Sequence, residues 1–83
     1  MPRFIVERTF EQPLTEEALD QTAQRMGQCL DLYGVRWVRS FWSSDRRRMV
    51  CEYEAADAAS VRSVQREADA LFDRIWPADE LRP

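Results

Sequence analysis

Apolar and polar residues alternate on both sides of a polar break in Val35 to Glu54, VRWVRSFWSSDRRRMVCEYE, which is the pattern of two half-buried strands joined by a turn. With Asp45 and Arg46 at the tip, the opposed pairs run outward as Ser43 with Arg48, Trp42 with Met49, and Phe41 with Val50. They continue as Ser40 with Cys51, Arg39 with Glu52, and Val38 with Tyr53. One face of this hairpin then carries Val38, Ser40, Trp42, Met49, Cys51 and Tyr53 and reads as core. The other carries Trp37, Arg39, Phe41, Val50, Glu52 and Glu54 and is half apolar, half charged.

The remaining chain arranges itself around the hairpin. Arg3 to Phe10 alternates in the same way, with Phe4, Val6 and Phe10 on one side and Ile5, Glu7 and Thr9 on the other, which predicts a first strand. Gln12 and Pro13 end it. Thr15 then offers a hydroxyl N-cap, followed by Glu16 and Glu17 near the positive end of the helix dipole. Leu19, Thr22, Ala23, Met26, Leu30 and Tyr33 recur at helical spacing until Gly34 supplies a C-cap. After the hairpin, Asp57 caps a second helix with Val61, Val64, Ala68 and Leu71 inward and Arg62, Gln65, Arg66 and Asp69 outward. Phe72 to Trp76 suits a short edge strand, and Ala78 to Pro83 a loosely held tail.

The order βαββαβ predicts an α+β, ferredoxin-like fold: a four-stranded antiparallel sheet in the order 4-1-3-2 with both helices on one face. That order puts the fourth strand at an edge, where the missing backbone donor of Pro77 is tolerated. Residues 1–83 read as a single domain, and at this length a single core is marginal enough that pairing with a second copy is a common remedy.

Composition narrows the chemistry. A net charge of −3 from 12 basic and 15 acidic residues offers no field for nucleic acid or an anionic membrane. MPRFIVER lacks the apolar segment of a signal peptide, and no apolar run approaches a membrane span, so the expected location is cytoplasmic. Cys29 and Cys51 sit in apolar contexts and read as buried thiols. The chain has no histidine, which excludes a catalytic triad and an imidazole metal site, and its two glycines form no phosphate loop. Arg46, Arg47 and Arg48 read as a solvated turn. No cofactor is expected.

What remains is a set of charges and aromatics on strands. Glu7 can neighbour Arg74, and Glu52 sits opposite Arg39, all on the face away from the helices. Cross-strand ion pairs that keep the sheet soluble or set a dimer register account for them most simply. Ion pairs flanked by Trp37 and Phe41 also describe a small-molecule pocket, so Glu7, Trp37, Arg39, Phe41, Glu52 and Arg74 are the candidate ligand-binding residues. A small barrel-type enzyme, an isomerase, cyclase or monooxygenase, would use Glu7, Glu52 or Tyr53 as acid and base, with Arg39 holding an anion.

At FIVER, RWVRSFWS, CEYEA and FDRIWP, the chain resembles a small bacterial family of ferredoxin-like domains of unknown function, one branch of which is described as nickel-binding proteins. The similarity covers nearly the whole chain. It extends to the wider dimeric α/β-barrel group, in which two sheets pack face to face and ligands enter clefts of each subunit. The resemblance thus implies a homodimer. In the nickel-binding branch a pattern WVHSY places histidine where this chain has Arg39, and a histidine-containing helix segment aligns with Val64. Neither residue can replace an imidazole, so no metal ligand is expected here. The sequence therefore points first to a homodimeric ligand-binding or sensing domain, next to an enzyme, and last to a nickel-binding or other divalent-metal protein.

Overall fold

A computed structural model describes residues 1–83. Its elements are β1 (Arg3–Thr9), α1 (Glu16–Tyr33), β2 (Arg36–Trp42), β3 (Arg48–Glu54), α2 (Ala58–Glu67) and β4 (Arg74–Ala78). The four strands form one antiparallel sheet in the order β2-β3-β1-β4, which is the order expected, read from the opposite edge. Both helices lie on one face. The Cα extents of 34 × 33 × 17 Å describe a slab two layers thick, whose second sheet face is bare.

Local chemistry fixes the helix ends. Thr15 Oγ1 accepts the Ala18 amide at 3.1 Å, and Gly34, at φ 64°, closes α1 in the left-handed conformation that favours glycine. Asp57 takes the Ser60 amide at 2.8 Å, and this bond holds its carboxyl below the usual carboxylate range. The β1–α1 connection is docked on the hairpin tip, because the amides of Phe10 and Leu14 donate to the carbonyls of Arg47 and Arg46. Arg46 is not simply solvated there. Its guanidinium stacks over the Trp42 ring at 4.0 Å, a cation–π contact.

The core comprises Phe4, Val6, Met49, Cys51 and Tyr53 from the sheet and Met26, Val61, Val64 and Ala68 from the helical side. Four details differ from the sequence pattern. The hairpin register holds from Trp42–Met49 to Arg39–Glu52, but a bulge then intervenes, so that Trp37 and not Val38 faces Tyr53. Leu71 does not extend the inward stripe of α2 and is 83% exposed, because the helix ends at Glu67 and Asp69, at φ 53°, turns the chain away. Gln65 is fully buried rather than outward-facing. Finally, β4 starts at Arg74 and runs through Pro77, placed opposite Phe4, to Ala78. The tail beyond is tied down in part: Glu80 pairs with Arg3 at 2.8 Å.

Candidate functional site

Strand pairing lays the bare face out in rows. Phe41, Val50, Glu7 and Arg74 form one row across β2, β3, β1 and β4, and Arg39, Glu52, Ile5 and Trp76 form the next. Five of the six candidate ligand residues, Glu7, Arg39, Phe41, Glu52 and Arg74, thus share this face. Trp37 does not. The bulge at Val38 inverts its side, and its indole nitrogen donates to Ser40 Oγ at 2.9 Å beside the core.

The charges on this face are engaged within the chain. Glu52 Oε2 receives Arg3 Nη1 at 2.9 Å, and its Oε1 lies 3.3 Å from Arg39 Nε. Glu7 Oε2 accepts the indole N–H of Trp76 at 2.6 Å, while its Oε1 lies 4.0 Å from Arg74. A general base needs a free oxygen turned toward a substrate proton, whereas each carboxylate oxygen here already faces a donor or cation. Such an arrangement fixes side chains on a sheet and presents both signs of charge. Between the rows Phe41 is 66% exposed, Trp76 42% and Val50 37%. A shallow groove of about 350 Å³ runs past Ile5, Phe41 and the tail residues Asp79 to Arg82.

The opposite face holds the residue that sequence reasoning passed over. Arg8 has the parity of Phe4 and Val6, and the structure buries it with them, 6% exposed. Its Nη2 donates to Gln65 Oε1 at 2.6 Å and Tyr53 Oη at 3.1 Å, and its Nη1 to the Leu71 and Ala70 carbonyls at 3.0 and 3.4 Å. No carboxylate lies within 4.0 Å of it. Tyr53 in turn donates to Met26 Sδ at 3.1 Å, and burial, reinforced by Cys51 and opposed by Arg8, pushes its hydroxyl up to about 12. A charged residue at a core parity was the available signal.

The donor set does not fit nickel. No three His, Cys, Asp or Glu side chains gather at one point. Positions 39 and 64 lie on opposite sides of the sheet, Arg39 on the bare face and Val64 fully buried beneath it. Within one chain they could not share an ion even as histidines.

Residues 4–77 match the family model described as "Nickel responsive protein SCO4226-like". Among solved structures, the crystal structure of SCO4226 from Streptomyces coelicolor A3(2) is similar at 18% sequence identity and a TM-score of 0.85. The alignment covers 96% of this chain and 99% of that one, so the two share a fold. No curated protein matches this chain.

Proposed function

The chain belongs to the SCO4226-like nickel responsive protein family, and from that premise we propose that it is a homodimeric small-molecule-binding domain whose bare sheet face meets a second copy of itself. The observation that carries this reading is that face: both helices cover the other side, and Phe41, Trp76 and Val50 remain exposed between paired charges. Soluble monomers rarely leave so contiguous an apolar surface open. Arg39 and Arg74, beside Glu7 and Glu52, give the face both signs of charge, which suits a two-fold contact in which one patch meets itself. Sedimentation equilibrium at low micromolar concentration tests the assembly: a dimer is expected, and a stable monomer would remove the basis of the reading.

The ligand half of the proposal rests on the open clefts of the chain, of about 350 to 540 Å³. Native mass spectrometry of freshly purified protein should show a small-molecule adduct at fixed stoichiometry per dimer. With no cluster of donors within one chain, nickel is not expected to be that ligand. Calorimetric titration with the ion should give only the weak, non-stoichiometric heat of an acidic surface, and a stoichiometric site of micromolar affinity would show that carboxylates or thiols rearrange to hold it.

A further inference from the structure

Helix α1 leans on α2 and stands off from β2. The space beneath it is a cavity of about 500 Å³, roofed by Leu19, Met26 and Leu30 and bounded on the sheet by Trp37, Trp42 and Met49. It stays open because α1 presents Ala23 and Gly27 along it, and a Cβ built on Gly27 would meet nothing within 4 Å. A second cleft of about 540 Å³ adjoins the first at Arg8, Leu19, Thr22 and Met49 and reaches the surface at Leu71. Together they form an apolar chamber with a mouth, of a size that suits a small organic ligand.

The chamber has one polar focus. Arg8, Met49 and Trp42 form a row across β1, β3 and β2, so the guanidinium and the indole of Trp42 flank Met49. Four bonds of Arg8 go to neutral oxygens, and its Nε–H makes none. The Trp42 indole N–H is buried and also has no acceptor. A buried cation without a counter-ion and an unmet donor on the far side of Met49 are both costly, and one anion lying over Met49 resolves both. Arg8 is the one cation that lines the two clefts, Arg46 being stacked on the Trp42 ring, and one such charge calls for a monoanion. Asp20 on the cavity, with Glu11 and Asp69 on the adjoining cleft, disfavours a polyanion such as a phosphate ester. Two tryptophans and two methionines along the walls suit a flat, aromatic body.

We propose that the chamber beneath α1 binds an aromatic monocarboxylic acid, its carboxylate on the free Nε–H of Arg8 and the indole N–H of Trp42. The proposal rests on the ligand-binding reading above and sets the ligand on the helix side of the sheet, away from the dimer face. The probes are 1-naphthylacetate and its neutral counterpart 1-naphthylacetamide, titrated into the full chain with tryptophan fluorescence and calorimetry as readouts. The acid should bind once per chain, and the amide roughly tenfold or more weakly, the factor expected when a charge-assisted hydrogen bond is lost. Arg8→Gln should erase that preference. Should that variant fail to fold, Ala23→Phe, which fills the cavity without touching the guanidinium, should abolish binding of both probes. Equal affinity for acid and amide, no binding of the acid at millimolar concentration, or undiminished binding to Ala23→Phe would each overturn the assignment. If the acid fails while a co-purified adduct is retained by Ala23→Phe, this site falls and the ligand-binding reading stands. No adduct and no binding defeat both.

Discussion

Replacing Phe41 with lysine strikes the proposed two-fold contact at its most exposed apolar point. Complete burial of a phenylalanine is worth roughly 1.5–3 kcal/mol. Phe41 is already one-third covered in the single chain, since 66% remains exposed, so a partner can gain about 1–2 kcal/mol from it. In a two-fold contact the residue counts twice, which makes the loss about 2–4 kcal/mol per dimer. Dissociation should therefore become roughly 30- to 900-fold easier. The strand itself should survive, because position 41 faces away from the helices opposite Val50. Sedimentation equilibrium across a dilution series would measure the shift, and melting curves on the same samples should become more concentration-dependent. A dissociation constant unchanged by the substitution, in a protein that is dimeric, would show that the copies meet elsewhere.

Two further outcomes follow from the helix side of the sheet. Gly27→Ala should stabilise the protein by roughly 0.5–1 kcal/mol, since it removes a flexible residue from mid-helix and the new methyl group meets no neighbour within 4 Å. A melting temperature that falls would mean that α1 is strained at this point. Tyr53 supplies an alkaline test: its hydroxyl is raised by burial from 10.0 to about 12, so the folded state favours the neutral phenol. Its contribution is then fully present below the unfolded value and is lost as pH climbs from 10 toward 12. The stability gap between wild type and Tyr53→Phe, read from urea unfolding, should shift by roughly 2–3 kcal/mol over that window. A gap that does not change with pH would show that Tyr53 is ionisable in place.

Local features of the chain were readable because each leaves its own mark. Thr15, Gly34 and Asp57 cap the helices as their chemistry requires, and the hairpin tip and its first four pairs follow from alternation alone. Sheet order brought Glu7 to Arg74 and Arg39 to Glu52, but it could not show that Arg3 also claims Glu52 or that Trp76 binds Glu7. Those contacts depend on side-chain reach, which parity does not encode. The bulge at Val38 was invisible because VRWVRS contains no glycine to mark it, and one extra residue sufficed to carry Trp37 to the other side. Arg8 and Gln65 were hidden for a different reason. Polar side chains are ordinarily assigned to solvent, yet Arg8 donates to Gln65 Oε1 in the interior, so neither signals its burial alone.

The bulge in β2 and the proline in β4 lie on the two outermost strands of the sheet. A flat outer strand is a template on which further chains can add without limit, and both irregularities spoil that template. Growth sideways into fibrils is thereby discouraged at either border, while the broad surface between them stays available. Such a chain is suited to finite particles even when crowded. The same small irregularities that disturb the strand pattern therefore keep the most exposed backbone from serving as a template.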